Sequence, residues 1–236
     1  MRLNRDVLTT ALSEGEELVI ACDNSGSIGR KPFDDVEVDY EVVAYFAFRV
    51  AYMECAAAGA TPFSVLLHNF NGDDAWDSLK KGIERGCREL NIPDLPVTGS
   101  TESNFKLYQS ALGLAVLGKR SINHVSDNIQ QKDMCVALIG EPLVGNDVLT
   151  NEGVAPLWLF NWCCHNEGIH AVIPVGSKGI QHELNQLDSV IAPYVARSAS
   201  IDFQQSAGPA TCFLILYDAL HEGAIVEKAG TWFHRL

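Results

Sequence analysis

The sequence contains few basic residues and no dense cluster of them. Lysine and arginine together number 17, against 30 aspartates and glutamates, and the formal net charge is −13. Because proteins hold phosphate backbones with clustered Lys and Arg, we do not expect free nucleic acid as a partner. Small phosphorylated ligands remain compatible with this charge, since a bound metal ion neutralises a polyphosphate locally. The other interpretation of the acidic excess is a solvated surface.

The sequence also lacks long apolar runs and regularly spaced cysteines. No run approaches the roughly 18 apolar residues that indicate a membrane span, and residues 1–17 have no apolar core of the signal-peptide type. Seven cysteines occur without a Cys-x-x-Cys pair, and Cys163, Cys164 and His165 are more typical of an apolar helix than of a zinc site. Reduced thiols favour the cytoplasm. We therefore expect a cytoplasmic protein with no membrane partner.

The common nucleotide-binding signatures are absent as well. Residues 26–31 have neither the Gly-Lys-Ser/Thr ending of a Walker A loop nor the Gly-x-Gly-x-x-Gly fingerprint. The segment still offers backbone N–H groups around Gly26, Ser27 and Gly29, followed by the amine of Lys31, which is a combination that suits phosphate. On its own, this motif is only a weak indication of a phosphate-binding site. Residues 176–179 have the same character and either hold an anion or cap the helix that follows.

Hydrophobic patterns predict strands and helices in both halves of the chain. Strands are predicted at 18–22, 63–68, 112–117, 134–139, 169–172 and 211–217, and helices at 38–58, from Asp73 or Asp74 to about 90, at 154–165 and up to 187. We interpret residues 98–104 as a turn and 119–132 as a connection. Since strands and helices do not alternate strictly, the pattern favours two α+β halves, 1–132 and 133–236, over a doubly wound parallel sheet.

Glu54 is the most informative single residue. Its neighbours three and four positions away on the predicted helix are Val50, Ala51, Ala57 and Ala58. A buried, unpaired carboxylate is costly, so Glu54 needs a cation, a proton or hydrogen bonds. A metal ion is one solution. The alternatives are that Glu54 lies at the edge of the apolar stripe, or pairs with Arg49 or Lys31.

Two further acids fit a divalent cation. Asp23 ends the first predicted strand, where side chains commonly meet ligands, although Asp before Asn-Ser-Gly is also ordinary turn chemistry. Glu102 lies in the hydroxyl-rich segment 98–104, which taken alone is typical of a polar surface turn. Mg²⁺ prefers oxygen ligands and usually combines one or two carboxylates with substrate phosphates. Acids from three separate elements, Asp23, Glu54 and Glu102, would suit it.

In order and spacing these segments resemble the aminoimidazole ribonucleotide (AIR) synthase superfamily, whose fold is called PurM-like. The resemblance runs from about residue 18 to 118 and is looser beyond. Its members carry an Asp before a glycine loop, an acidic helix residue eight positions before a proline, and a Gly-Gly-Glu/Asp-Thr turn. The matching positions here are Asp23 with Gly26, Gly29 and Lys31, then Glu54 with Pro62, then Thr98, Gly99, Ser100 and Thr101. Two departures are Glu54, where Asp is usual, and Ser100, where an acid is usual; we infer that Glu102 replaces the latter.

The resemblance implies a two-part PurM-like α+β chain, with an N-terminal mixed sheet that dimerises and a C-terminal α/β sandwich. It implies Mg²⁺ and ATP as cofactors, with nucleotide near the interface of a homodimer. The implied metal ligands are Asp23, Glu54 and Glu102, and the implied nucleotide contacts are Gly26, Ser27, Gly29, Lys31, Thr98, Gly99, Ser100 and Thr101.

Within the superfamily the sequence is most similar to the short AIR-synthase-related group, which is associated with α-ribazole kinase and salvage of the cobalamin lower ligand. That likeness implies a kinase that phosphorylates a nucleoside-like substrate, and no general base is assigned. One alternative is an ATP-dependent cyclo-ligase resembling AIR synthase itself. The other is a non-catalytic nucleotide-binding regulator, which the Ser100 departure keeps open.

Overall fold

The computed structural model of the protein describes residues 6–122, 134–186 and 201–236. These residues form two compact units, one spanning Asp6–Ile122 and the other containing the described residues from 134 onward. The predicted boundary between residues 132 and 133 lies outside the described residues. Strands and helices occur in both units, so the α+β class is confirmed. No helix in the described ranges is long and apolar enough to cross a membrane.

The first unit is a mixed sheet covered by two helices. In chain order its elements are β1 (Val7–Ser13), β2 (Glu16–Gly26), β3 (Ile28–Gly29), β4 (Val36–Glu37), α1 (Tyr40–Ala57), β5 (Thr61–Asn69), α2 (Trp76–Leu90), β6 (Val97–Thr101) and β7 (Ala111–Ser121). The five-stranded sheet has the order β1-β2-β7-β5-β6, antiparallel except for the parallel pair of β5 and β6. The strands predicted at 18–22, 63–68 and 112–117 and both predicted helices are confirmed.

Helix α1 contacts both the sheet and α2. In β2, Val19 and Ala21 are fully buried while their neighbours are not, as expected for a strand with one covered face. Helix α2 approaches α1 closely at Gly82, where an added Cβ would lie 2.2 Å from a backbone oxygen of α1. Val50, Ala57 and Ala58 of the predicted stripe are only half-buried, and because two partners cover α1 its buried set extends to other sides of the helix. It includes Phe48 and Met53.

Two segments of the first unit differ from the sequence interpretation. Residues 98–101 are not part of a turn, because they belong to β6, which pairs with β5 from Val65↔Val97 to Asn69↔Thr101. Residues 119–121 are not a connection, because they continue β7 opposite the start of β2. In both places polar side chains masked a strand, since an edge strand or strand end keeps exposed polar groups while its backbone pairs.

The second unit contains an antiparallel sheet. Its elements are β8 (Met134–Ile139), α3 (Asp147–Thr150), α4 (Leu157–Cys164), β9 (Ile169–Pro174), α5 (Ile180–Gln186), β10 (Phe213–Asp218), α6 (Glu222–Ala229) and β11 (Phe233–Arg235). The strand order is β11-β8-β10-β9. The strands predicted at 134–139, 169–172 and 211–217 are confirmed, whereas the helix predicted from 154 begins after Pro156, because proline fits only a helix start. The predicted helix end at Leu187 lies outside the described residues.

Candidate functional site

The loops of the first unit gather at one end of its sheet. Strand β2 ends at Gly26 opposite Ala111, the first residue of β7, and β5 ends at Asn69 opposite both Leu112 and Thr101. We call this edge, defined by the ends of β2, β5 and β6 and the start of β7, the loop end. Residues 26–31 and the end of the Thr98–Thr101 segment lie there. The strand register therefore brings the two predicted nucleotide-binding segments to the same edge.

Residues 27–38 are held at the loop end by Ser110. The Ser27 amide donates to the Ser110 carbonyl at 2.9 Å, and the Asp34 carboxylate accepts from the Ser110 amide at 2.6 Å and its hydroxyl at 2.7 Å. Asp34 also accepts from the Lys31 amide at 2.8 Å. Burial raises the pKa of Asp34, but these hydrogen bonds and the Lys31 charge outweigh it, so the pKa lies below its usual value. Asp34 is thus the residue that fixes the loop conformation.

Gly29 packs where no side chain fits. An added Cβ would lie 2.4 Å from the Ser110 hydroxyl oxygen and 2.7 Å from the ring of Tyr40, and the φ angle is +153°. The Tyr40 hydroxyl is itself 3.2 Å from that of Ser110. Since Tyr40 is the first residue of α1, Gly29 and Ser110 join the glycine loop to the start of that helix.

Lys31 places a cation at the loop end. Its ammonium donates to the Phe70 carbonyl at 2.7 Å, and the alternative pair with Glu54 stays a prediction. Burial lowers the pKa of Lys31 while the Asp34 charge raises it, and the result is below the usual value. One backbone acceptor leaves further ammonium protons available, because lysine has three donors.

Asp23 has a desolvated carboxylate with no cation beside it in the described ranges. It lies on the same face of β2 as Val19 and Ala21, which is the face that α1 covers. Burial raises its pKa to about 6, and a hydrogen bond from the Asn24 backbone only partly opposes this. A carboxylate in this setting is stabilised by a proton or a metal ion. Its surroundings therefore fit the predicted role as a cation ligand.

The Thr98–Thr101 segment lies on the edge strand β6. Thr98, Gly99 and Ser100 are exposed, and Gly99 approaches β5 so closely that an added Cβ would be 1.7 Å from the Leu67 carbonyl oxygen. Gly99 shares a cross-strand row with Asp23 through Leu114 and Leu67. Three strand spacings separate their backbones, which is about 14 Å. A nucleotide with its bound cation is long enough to span this distance, whereas a single ion is not.

Glu102 uses its carboxylate within its own turn. One carboxylate oxygen accepts from the Asn104 amide at 2.7 Å and the Phe105 amide at 3.2 Å. Its own amide donates to the Asn69 carbonyl at 2.8 Å, which fixes the turn at the end of β5. In this arrangement Glu102 stabilises the loop that follows β6.

Glu54 lies near the opposite end of α1 from Tyr40. The adjacent Cys55 packs against Gly118, where an added Cβ would lie 2.5 Å from the Cys55 sulfur, and Gly118 pairs with Val19. Val19 precedes Asp23 by four residues of β2, a separation of about 13 Å along the strand. The half-buried Glu54 is therefore displaced from Asp23 toward the far end of the sheet.

The three predicted metal ligands do not form one cluster. In the part of the chain that the structure describes, no group of three His, Cys, Asp or Glu side chains could hold a metal ion. Asp23 is close to the glycine loop, and Glu54 lies farther along the sheet from the loop end. The Glu102 carboxylate accepts hydrogen bonds from amides of its own turn. The separate roles of Glu54 and Glu102 as ligands stay predictions.

The second glycine segment, residues 176–179, forms a turn packed inside the second unit. The Gly179 amide donates to the Gly176 carbonyl, which also accepts from the Ala207 amide. Gly179 has a φ of +79°, and an added Cβ would lie 2.9 Å from the Phe203 carbonyl oxygen. These contacts account for Gly179 by packing and turn geometry at the start of α5, whereas a Cβ added at Gly176 would meet nothing within 4 Å.

Comparisons with known proteins identify the fold. No protein-family model and no curated protein matches the sequence. Among solved structures, tt0281 from Thermus thermophilus aligns with a TM-score of 0.61 at 12% identity, over 98% of this chain and 84% of that one. Thiamine-monophosphate kinase from Stenotrophomonas maltophilia gives 0.57 at 14% identity, over 98% and 88%. Hydrogenase maturation protein HypE in complex with ATP gives 0.57 at 9% identity, over 92% and 75%. The expected PurM-like α+β fold is confirmed.

Proposed function

We propose that the protein is a Mg²⁺-ATP-dependent small-molecule kinase, and that its acceptor is α-ribazole, converted to α-ribazole 5′-phosphate in cobalamin lower-ligand salvage. The observation that carries the proposal is the desolvated Asp23 carboxylate, three residues before the start of the glycine loop, with the Lys31 ammonium at the same end of the sheet. The solved structures with this fold include a thiamine-monophosphate kinase and a HypE complex with ATP, which supports ATP as the ligand.

Each group at the loop end has a task in this proposal. Asp23 would hold the divalent cation, whose contribution is to neutralise charge on the β- and γ-phosphates. The exposed backbone at Gly26 would contact phosphate oxygens, while Ser27, whose amide is bonded to Ser110, and the buried Gly29 would hold the loop in shape. The Lys31 ammonium, oriented by the Phe70 carbonyl, would offset charge that develops on the transferred group. The rigid Asp34–Ser110 contacts would keep these donors in place. Catalysis would then consist mainly of positioning and electrostatics.

The edge strand extends the proposed nucleotide site. The Thr98–Thr101 segment, exposed except at Thr101, would contact the nucleotide at a distance from Asp23 that a nucleotide with its bound cation can span. Glu54 and Glu102 would act as ligands only after their side chains leave the positions described above. On this division, residues 1–132 would bind nucleotide and residues 133–236 would contribute to the acceptor site, within a cytoplasmic protein.

A homodimer through the open face of the first sheet is part of the proposal. Leu8 is 65% exposed and pairs with Ile20, which places both on the face that α1 does not cover. Leu66 and Ala115 form a pair on the same face. An apolar sheet face of this kind is typical of an interface. A second copy of the chain is the occupant we propose.

The proposal is tested by incubating the protein with Mg²⁺-ATP and a panel of nucleosides that includes α-ribazole, followed by mass spectrometry. We expect α-ribazole to gain one phosphoryl group with release of ADP. Lys31→Met should reduce kcat/KM by about 100-fold or more, because a donor to the phosphates is lost. Lys81→Met, on the exposed side of α2, is the matched control and should leave turnover unchanged. ATP hydrolysis without transfer to any nucleoside would remove the kinase assignment.

A nucleotide-binding regulator is the second candidate. It is favoured by the absence of an acid at Ser100 and by the engagement of the Glu102 carboxylate with Asn104 and Phe105. A regulator would bind ATP in equilibrium dialysis yet yield no ADP with any nucleoside. A cyclo-ligase would instead release ADP and free phosphate only in the presence of its own acceptor. The product analysis above separates the three activities.

A further inference from the structure

Ser25 has a buried hydroxyl that forms no hydrogen bond with the described residues. It lies on β2 two residues after Asp23, so both side chains project from the same face of the strand. The Ser25 oxygen is inaccessible to solvent and has no hydrogen-bond partner among the described residues. Buried hydroxyls are normally bonded, because leaving one unpaired forfeits its interactions with water. An unpaired buried hydroxyl therefore requires an explanation.

The neighbours of Ser25 in its cross-strand row offer no partner. Leu112, directly opposite on β7, is apolar and buried. Asn69 is next in the row, and its side-chain amide is already engaged. Its N–H groups donate to the Gly72 carbonyl and the Thr101 hydroxyl, and its oxygen accepts from the Asn71 backbone amide. Leu114, opposite Asp23, is likewise apolar and buried. This row thus supplies no partner to the hydroxyl, and the carboxylate, which accepts a hydrogen bond from the Asn24 backbone, has no cation beside it among the described residues.

The spacing of the two residues suits one ion between them. Alternate residues on a strand face are about 7 Å apart, a gap that a serine oxygen, a carboxylate and an ion bound at about 2.1 Å can close. Magnesium accepts hydroxyl ligands, as the Ser or Thr of nucleotide-binding loops illustrates. Both oxygens are desolvated before an ion arrives, so a bound ion would satisfy two groups at once.

We propose that the Ser25 hydroxyl is a ligand, with the Asp23 carboxylate, of the divalent cation that accompanies the nucleotide. This inference rests on the proposed function, because the nucleotide supplies the remaining ligands. It assigns the cation to the end of β2. It also explains why the hydroxyl oxygen of Ser25, opposite the buried Leu112, is shielded from solvent without a hydrogen-bond partner.

The test measures cation binding directly. Mn²⁺, a paramagnetic substitute for Mg²⁺, is titrated into the full-length protein with and without a non-hydrolysable ATP analogue, and free Mn²⁺ is followed by electron paramagnetic resonance. We expect Ser25→Ala to weaken Mn²⁺ binding by about tenfold or more and Ser25→Thr to retain it. The metal-free melting temperature of Ser25→Ala should equal or exceed that of the wild type, because the change removes an unpaired hydroxyl.

Ser64→Ala is the matched control. Its hydroxyl, on β5 of the same sheet, does donate to a carbonyl, that of Pro96, at 3.3 Å. This variant should leave Mn²⁺ affinity unchanged without raising the melting temperature. Ser25→Cys, which keeps the size of the side chain but replaces the oxygen with a weak ligand for Mn²⁺, provides the same test if the alanine variant folds poorly. Mn²⁺ affinity within twofold of wild type in Ser25→Ala or Ser25→Cys overturns the inference.

The two proposals fail separately. If the wild type phosphorylates a nucleoside while the Ser25 variants bind Mn²⁺ normally, the kinase assignment stands and the ligand role of Ser25 is wrong. If the wild type binds Mn²⁺ in a Ser25-dependent way yet transfers no phosphoryl group, the cation site stands and the kinase assignment is wrong. If the wild type binds no Mn²⁺ with or without the nucleotide analogue, both are wrong.

Discussion

Replacing Asp23 with asparagine should stabilise the protein at neutral pH. The change keeps the shape of the side chain and removes only its charge. In the folded protein the pKa of Asp23 is raised to about 6 by burial, against 3.8 for an ordinary aspartate. Two units of pKa correspond to about 3 kcal/mol of destabilisation when the group is ionised. Asp23→Asn should raise the free energy of unfolding by up to about that amount at pH 8. Such a gain is expected where a functional residue is retained although it lowers stability.

The pH dependence fixes the sign of the effect. Because the pKa is higher in the folded state, the folded protein binds the Asp23 proton more tightly than the unfolded chain does. The stabilising contribution of the protonated group is fully present below about pH 4, declines as the pH rises, and is lost above about pH 6. The advantage of Asp23→Asn over the wild type should therefore be small at pH 4 and largest at pH 8.

Urea unfolding measures this difference. Wild type and Asp23→Asn are compared at several pH values between 4 and 8 in the presence of a chelator, with Asp94→Asn, in an exposed loop, as the control for charge removal. Added Mg²⁺ with ATP should then stabilise the wild type and not Asp23→Asn, since a ligand stabilises only the state that binds it. A destabilised Asp23→Asn at pH 8, or an equal gap between the two proteins at pH 4 and pH 8, would refute the reasoning.

Three other changes have expected outcomes. Gly99→Ala places a Cβ 1.7 Å from the Leu67 oxygen and should cost about 3 kcal/mol in urea unfolding, whereas Gly26→Ala, where a Cβ meets nothing, should cost under about 1 kcal/mol. Asp34→Asn should cost about 1.5–3 kcal/mol at pH 7, because hydrogen bonds to a charged group are lost. Since the pKa of Asp34 is lowered, this contribution is present above about pH 4 and disappears as the pH falls through the folded pKa. Leu8→Glu should convert a dimer to a monomer in sedimentation velocity without loss of secondary structure by circular dichroism; an unchanged sedimentation coefficient would contradict the proposed interface.

The sequence predicted the fold where patterns were strongly periodic. The strand predicted at 18–22, before Asp23, and the helix predicted to end at about residue 90 both correspond to observed elements. Segment 98–101 was misassigned, because Thr, Gly and Ser are typical of turns and only pairing with β5 makes them a strand. The burial pattern of α1 was predicted incompletely, since a helix covered by both a sheet and a helix has no single stripe.

The candidate site was predictable only in part. Asp23 was identifiable as an acid at the end of a strand, and its surroundings fit that role. Ser25 carried no signal, because the predicted strand ended at residue 22. Only the observed continuation of β2 to Gly26 puts Ser25 on the same face as Asp23 and Asn24 on the other. The separation of Glu54 from Asp23 along the strands depends on where α1 crosses the sheet. Helical periodicity does not predict that crossing point.

The attachment of the glycine loop to Ser110 has a consequence for folding. Ser110 immediately precedes β7, so the loop acquires its anchor only when strands more than 80 residues apart in the sequence have paired. Contacts between such distant segments form slowly, because a large chain loop must close first. During synthesis, the N-terminal portion up to the end of α1 would thus contain the glycine loop before the loop can adopt its folded conformation. The ability to bind nucleotide should therefore appear late in folding, and its appearance would indicate that the first unit has folded completely.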